Sequence, residues 1–329
     1  MVVQSTHNNN VHVLVIPYPA QGHISPLIQF AKRLVSKGIK TTFATTHYTV
    51  KSITAQNISV EPISDGFDES GFSQANDVDL FLSSFKSNGS KTVSNLIHKY
   101  QKTSTPITCI VYDSFLPWAL DVAKKHGIYG AAFFTNSAAV CNIFCRIHHG
   151  FIETPVKIDD LPLIVPGIPP LNCRDLPSFI RFPESYPAYM AMKLSQFSNL
   201  NLADWMFVNT FEALEGEVMK GLTELFPAKL IGPMVPSAYL DGRIKGDKVG
   251  VRPKEDENGV VKREEFVLSL KVVMEGERSE VIRKNASEWK KLARDAVSEG
   301  GSSDKNIDDF VDQLMNNIDK NGYLITGKN

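Results

Sequence analysis

The chain has 329 residues, enough for two modest domains or one large one, and its 43% hydrophobic and 22% charged residues are typical of a globular protein. A formal net charge of −1 without a basic block argues against binding to nucleic acid or to an anionic membrane. No apolar run approaches the roughly 20 residues of a membrane span, and the polar first ten residues resemble neither a signal nor a transit peptide, so we expect a cytoplasmic protein.

Strand-like and helix-like segments alternate up to about residue 150. Strands are predicted at 11–18, 39–45, 58–63, 108–112 and 130–134, and helices at 25–38, 78–100, 116–126 and 137–147. Ser25 is expected to cap the first helix, with Pro26 in its first turn and Gly38 at its end. This alternation predicts an α/β fold with a doubly wound parallel sheet.

The pattern changes after residue 153. Prolines crowd the stretch PGIPPLNCRDLPSFIRFP, which has neither helical nor strand periodicity and is typical of a binding loop. Two further strands are predicted at 206–211 and 229–234, with a helix at 213–225 between them. The segment 236–257 is polar and charged and is expected to be a linker or a surface loop.

Three amphipathic helices are predicted in the tail, and Gly300-Gly301 separates the second from the third. Their apolar faces consist of Phe266, Leu270, Val273 and Met274, then Ile282, Ala286, Trp289, Ala293 and Ala296, then Ile307, Phe310, Val311 and Leu314. Three helices without a sheet make a poor independent domain, so they need another surface to pack on.

Two residues that can take part in acid–base catalysis lie at the carboxyl ends of predicted strands. His23 follows the first strand in HVLVIPYPAQGHISPL, and Asp113 ends the strand at 108–112. Ligands bind at this edge of open α/β sheets, and a carboxylate beside an imidazole makes a general base. The alternative is a loop histidine and an unrelated turn residue, because the strand order cannot be deduced from the sequence.

Other possible sites have weaker signals. Gln21 and Gly22 precede a helix and form a weak phosphate-binding candidate, while Thr135, Asn136 and Ser137 either cap a helix or face the crevice. The chain has no GxSxG, HExxH or paired CxxC motif, and the adjacent His148 and His149 cannot chelate from one helix face. The four cysteines, Cys109, Cys141, Cys145 and Cys173, are expected to be buried thiols rather than metal ligands or a redox pair.

Seven segments stand in this order along the chain: HVLVIPYPAQGHISPL, CIVYDSFLPWALDVA, AAFFTNSAA, PGIPPLNCRDLPSF, WMFVNTFEALEGEV, LIGPMVPSAYLD and the tail from residue 271. In these segments and their order, the chain resembles the plant family-1 UDP-sugar-dependent glycosyltransferases, in the branch that glucosylates small acids, phenols and terpenoids. The resemblance implies a GT-B type N-terminal Rossmann-like domain with a parallel sheet, and transfer of glucose from UDP-glucose to a hydroxyl or carboxyl of a small apolar acceptor with inversion. It implies no separate cofactor, no metal and a monomer.

The resemblance also assigns roles to residues. His23 would be the general base and Asp113 would orient it. Thr135, Gly22 and Gln21 would contact the donor, and the acceptor pocket would include Phe133, Ser137, Phe144 and Asp175.

One departure from the family is severe. The family's tryptophan-rich donor-binding box with its His-Cys-Gly-Trp-Asn-Ser core is absent. We therefore expect an acceptor domain at 1–240, a linker or deletion junction at 241–260 near residues 248–251, and a truncated, mainly helical remnant of the donor domain at 261–329. Activity of this chain is expected to be impaired, and the alternatives are a non-catalytic acceptor-binding protein or an unstable truncated product. In the family the last helix crosses back to the N-terminal domain, a contact that this chain can still form.

Overall fold

The computed structural model describes residues 11–53, 57–235, 261–276 and 279–318, and these ranges contain a seven-stranded parallel sheet. Its strands are β1 His12–Ile16, β2 Lys40–Thr46, β3 Ser59–Ile63, β4 Cys109–Asp113, β5 Tyr129–Phe134, β6 Trp205–Val208 and β7 Lys229–Leu230. The spatial order is β3-β2-β1-β4-β5-β6-β7. The chain therefore leaves β1 towards one edge of the sheet and returns at β4 to build the other. Such a reversal of strand order opens a crevice at the carboxyl ends of the two central strands.

The strands alternate in the sequence with the helices that cover the sheet. The helices are α1 Gln21–Ser36, α2 His47–Val50, α3 Phe72–Ala75, α4 Val78–Gln101, α5 Trp118–Lys125, α6 Ala138–His148, α7 Ser178–Arg181, α8 Pro187–Ser195, α9 Glu212–Lys220, α10 Arg263–Met274, α11 Ser279–Val297 and α12 Ser302–Asn316. Every strand and long helix predicted within the described ranges is present, with ends shifted by a few residues. The short helices α2, α3 and α7 and the nine-residue α8 had no prediction.

The predicted start of α1 at Ser25 and Pro26 was wrong. The backbone N–H groups of His23 and Ile24 both donate to the Ala20 carbonyl at 2.9 Å, which closes the first turn before Ser25 is reached. Ala20 is the N-cap, and Pro26 lies inside the helix, where one backbone hydrogen bond is missing but the helix continues. His23 therefore lies in the first turn of α1 rather than in a loop.

The sheet carries a hydrophobic core on each face. Leu14 and Ile16 of β1 pack on the face that is covered by α4, α5 and α6. Val13 and Val15 pack on the opposite face, against α1 and α12. Burial on both faces explains why the first strand is a continuous apolar run without alternation.

The last described helix, α12, returns to the sheet, as the family resemblance implied. All four apolar residues of its predicted face are buried in the same core as α1: Ile307, Phe310, Val311 and Leu314. Polar contacts fix the position of α12, since Ser303 Oγ donates to the Gly232 carbonyl at 2.6 Å and Asn306 Nδ2 to the Leu230 carbonyl at 2.7 Å. The helices α10 and α11 instead leave large apolar side chains exposed, including Phe266 at 55% and Trp289 at 42%.

The proline-rich segment contains short helical turns and one isolated bridge between Leu163 and Leu171, without a long helix or strand. Among the described helices, none combines the length and apolarity needed to cross a membrane. The first ten residues, the expected junction at 248–251 and all of the linker at 241–260 lie outside the described residues.

Candidate active site

His23 and Asp113 meet at the crevice between β1 and β4. Asp113 is the last residue of β4, and β1 pairs with that strand in parallel. The Asp113 Oδ2 atom lies 2.7 Å from His23 Nδ1. Because an ionised carboxylate only accepts hydrogen bonds, we assign the imidazole proton to Nδ1, which leaves the Nε2 lone pair free to accept a proton. The pairing that the sequence left open is thus present.

The two residues differ in their access to solvent. The side chain of His23 is 18% exposed, whereas that of Asp113 is fully buried. The second carboxylate oxygen of Asp113, Oδ1, accepts the backbone N–H of Phe115 at 3.0 Å. The carboxylate is therefore held from both sides beneath the imidazole, and only the imidazole can meet a substrate. This is the arrangement of a general base with an orienting carboxylate.

Aromatic rings flank the imidazole. The ring centroids of Tyr18 and Phe115 lie 5.4 Å and 4.9 Å from that of His23. Burial raises the pKa of Tyr18 to about 12, and the nearby Tyr189 and Asp113 add to the effect. Tyr18 therefore keeps its proton at neutral pH, which leaves His23 as the candidate base.

Thr135 follows β5 and lies beside the pair, with its Oγ1 atom 3.2 Å from His23 Nδ1. Ser137, two residues further on, caps α6 by accepting the backbone N–H of Val140. The Glu215 carboxylate occupies the rest of this helix start, since it accepts the backbone N–H groups of Ala138 and Ala139 at 3.0 Å each. Sequence reasoning missed Glu215, because it lies 77 residues from Ala138 in the chain.

Gln21 and Gly22 are exposed in the first turn of α1, next to His23. The side-chain amide of Gln21 donates to Ser25 Oγ at 3.0 Å. A Cβ atom built on Gly22 would meet no other atom within 4 Å, so the backbone faces open space. The first N–H groups of a helix attract anions, and here they adjoin the candidate base.

Two residues expected in the acceptor pocket are in the core instead. Phe133 is fully buried against Phe30, on the sheet face covered by α1 and α12. Its neighbour Phe134 points to the other face, because side chains alternate along a strand. Phe144 is 1% exposed, and the Lys193 ammonium lies 5.5 Å from the centre of its ring. Neither side chain is open to a ligand.

Asp175 is exposed and has a local structural contact. Its carboxylate accepts the backbone N–H of Asn172 at 3.0 Å, which forms a capping box in the proline-rich segment. No hydrogen bond among the described residues connects Asp175 to His23 or Asp113.

A pocket of about 380 Å³ lies beside the loop that leads into α1. Its size falls in the range of roughly 300–1,000 Å³ that is common for small-molecule sites. Its lining combines five aromatic residues, Tyr18, Tyr48, Phe72, Phe81 and Tyr189, with polar residues that include Asp65. Tyr18 belongs both to this pocket and to the surroundings of His23. The sequence analysis did not predict this pocket, because its lining comes from segments that are far apart in the chain.

Metal and thiol chemistry find no support among the described residues. No group of three potential ligands converges there on a metal site. Cys109, Cys141 and Cys145 are buried and Cys173 is exposed, and none is in a disulfide. Burial raises the pKa of the Cys145 thiol to about 11, which keeps it protonated at neutral pH.

Known proteins resemble this chain in sequence and in fold. A family model described as the glycosyltransferase N-terminal domain matches residues 9–149. UDP-glycosyltransferase 74B1 from Arabidopsis thaliana is 46% identical over 255 residues, covering 75% of this chain and 55% of that protein. UDP-glycosyltransferase 74F2 from the same plant is 33% identical over 450 residues, covering 92% of this chain and 98% of that protein. The structure of Os79 from O. sativa in complex with UDP matches with a TM-score of 0.85 at 25% identity, covering 92% of this chain and 100% of that chain.

The lengths of these alignments differ from the length of the chain. The match to UDP-glycosyltransferase 74B1 spans about half of that relative. The match to UDP-glycosyltransferase 74F2 runs over 450 residues, more than the 329 residues of this chain, so it crosses an internal stretch that this chain lacks.

Proposed function

Since the chain belongs to the plant UDP-glycosyltransferases, whose donors are UDP-sugars, we propose that it carries the acceptor half of a glucosyl-transfer site. His23 is the general base and Asp113 orients it. The observation that supports this most is the 2.7 Å contact between the partly exposed imidazole and the buried carboxylate at the crevice of the sheet. The donor is UDP-glucose, and the acceptor is a small phenol, carboxylic acid or terpenoid alcohol.

In the proposed step, His23 Nε2 takes the proton of an acceptor hydroxyl. The acceptor oxygen forms a bond to the anomeric carbon of glucose, and the bond from that carbon to the diphosphate oxygen breaks. The electron pair leaves with UDP, and attack from the opposite face inverts the anomeric centre. The Asp113 carboxylate stabilises the imidazolium that forms, because the 2.7 Å contact is already in place before the proton arrives.

Some residues around His23 and Asp113 face the donor, and others face the acceptor. Gln21, Gly22 and Thr135 form the donor side, because the open backbone at the start of α1 favours the diphosphate. The aromatic pocket beside Tyr18 receives the apolar acceptor. The helix α6, which Ser137 caps, and the proline-rich segment, which contains Asp175, border the acceptor side.

The donor side is incomplete in this chain, because the family's donor-binding box is missing from its sequence. Transfer requires the donor to be held at reacting distance from the base. We therefore propose that this chain alone transfers little or no glucose. Isothermal titration with UDP-glucose tests this, with weak or undetectable binding expected. Micromolar binding by the purified chain would contradict the proposal.

The alternative is an acceptor-binding protein without catalysis, and the same missing box favours it. A glucosylation assay with UDP-glucose and a panel of phenols and acids separates the two, with the His23→Ala variant as control. Product formation by the chain but not by the variant supports catalysis. Sequencing the cDNA across codons 240–260 tests whether a longer message restores the donor site. We also propose that the protein is cytoplasmic and monomeric. Size-exclusion chromatography with light scattering tests whether it is a monomer.

A further inference from the structure

A lysine side chain lies within a group of aromatic rings near the dyad. The Lys193 Nζ atom of α8 is 4.9 Å from the centre of the Phe115 ring, 5.1 Å from that of Phe179 and 5.5 Å from that of Phe144. An ammonium at these distances is attracted to the faces of aromatic rings. We call Lys193 and these three rings the aromatic cage.

In the part of the chain that the structure describes, the cation of the cage has no counter-ion in contact. Within the described ranges, no carboxylate or carbonyl oxygen lies within hydrogen-bonding or ion-pair distance of the Lys193 ammonium. An ammonium has three N–H donors, and aromatic rings do not satisfy them as an oxygen does. Burial lowers the pKa of Lys193, while the nearby Cys141 and Asp113 act in the opposite direction. A partly buried cation of this kind gains from an anionic ligand.

The cage adjoins the proposed active site. Phe115 contacts both the imidazole and the ammonium, since its ring centre lies 4.9 Å from the His23 ring and 4.9 Å from Lys193 Nζ. Tyr189, one helical turn before Lys193, lines the aromatic pocket. The candidate base and the cation therefore both lie beside the Phe115 ring.

We propose that Lys193 selects the acceptor by binding the carboxylate of a hydroxylated aromatic acid whose hydroxyl faces His23. This inference rests on the proposed acceptor site and adds to it the residue that distinguishes acidic from neutral acceptors. The ammonium donates hydrogen bonds to the carboxylate, and the ring of the ligand packs against the aromatic residues. A charge-assisted contact of this kind changes affinity by about tenfold or more.

Isothermal titration at pH 7 with 4-hydroxycinnamate and with 4-hydroxycinnamamide tests the proposal on the whole chain. The two ligands share the ring and the hydroxyl and differ only in the charge of the other end. We expect the acid to bind about tenfold more tightly than the amide. The Lys193→Met variant keeps the apolar stem in the cage and is expected to bind both ligands equally. The Lys125→Met variant, at the exposed C-terminal end of α5, makes the same charge change and is expected to keep the preference.

The outcomes separate this inference from the proposed function. Equal binding of acid and amide by the unaltered chain refutes the role of Lys193 and leaves the acceptor site standing. So does a preference for the acid that survives in Lys193→Met. Failure of both ligands to bind the unaltered chain overturns the acceptor site and the inference together. The comparison within the unaltered chain needs no variant, so a folding defect in Lys193→Met does not remove the test.

Discussion

Replacing Phe310 with alanine tests whether the returning tail helix is part of the core. Phe310 is fully buried in α12. Its ring centre lies 5.0 Å from those of Trp205 and Phe207 and 6.4 Å from that of Phe30. Removing a fully buried phenylalanine loses its burial and leaves a cavity, which costs about 3–5 kcal/mol. That is a large part of the roughly 5–15 kcal/mol by which folded domains are stable.

Phe266→Ala is the matched control, because it removes the same side chain from α10, where Phe266 is 55% exposed. We expect it to change the free energy of unfolding by less than about 0.5 kcal/mol. Urea denaturation of the chain and both variants, followed by far-ultraviolet circular dichroism, gives the two values. A loss below about 1 kcal/mol for Phe310→Ala, or an equal loss for both variants, would refute the packing of α12 on the sheet. A folded, cooperative chain would also argue against the unstable-product alternative.

Three further predictions test other parts of the structure. Burial lowers the pKa of His12 from 6.5 to about 4, so protonation of this histidine favours the unfolded chain. The free energy of unfolding should therefore fall by up to about 3 kcal/mol as the pH drops from 6.5 to 4. Urea denaturation of His12→Asn over the same pH range should show a smaller fall. Glu215→Gln removes the charge that caps α6 and should cost about 1 kcal/mol in the same assay, whereas an unchanged midpoint would count against the cap. Gly301→Ala would clash with two carbonyl oxygens of α11 and should cost about 1–3 kcal/mol. Gly22→Ala, in open space on α1, should instead raise stability by about 0.5–1 kcal/mol, and equal thermal shifts for the two glycines would contradict this.

The sequence predicted the strands and long helices because their signals are local. The apolar run of β1, the stop at Gly38 and the cap at Ser137 each depend on neighbours in the chain, and the structure confirms all three. The start of α1 was placed one turn too late, because Ser25-Pro26 is a strong start signal and Ala20 is a weak one. The hydrogen bonds to Ala20 nevertheless close the turn earlier and place His23 on the helix.

The pocket and the cage could not be predicted in this way. Phe133 and Phe134 are adjacent and both apolar, and the sequence does not say which sheet face each one enters. Lys193 lies in α8, after a segment without periodicity, and its only sequence signal is a lone lysine in the apolar stretch PAYMAMKLS. The three rings around it come from β4–α5, α6 and α7, so their convergence is a property of the packing.

The sequence by itself determined the α/β alternation, the family and the two residue types at the carboxyl ends of their strands. Only the tertiary structure decided that His23 and Asp113 touch, because strand order depends on pairing between segments 90 residues apart. It also decided that α12 packs on the sheet and that the Lys193 ammonium lies against the same phenylalanine ring as His23. Local periodicity reflects one element and its nearest neighbours, whereas contacts between elements follow from how the buried faces of all of them fit together.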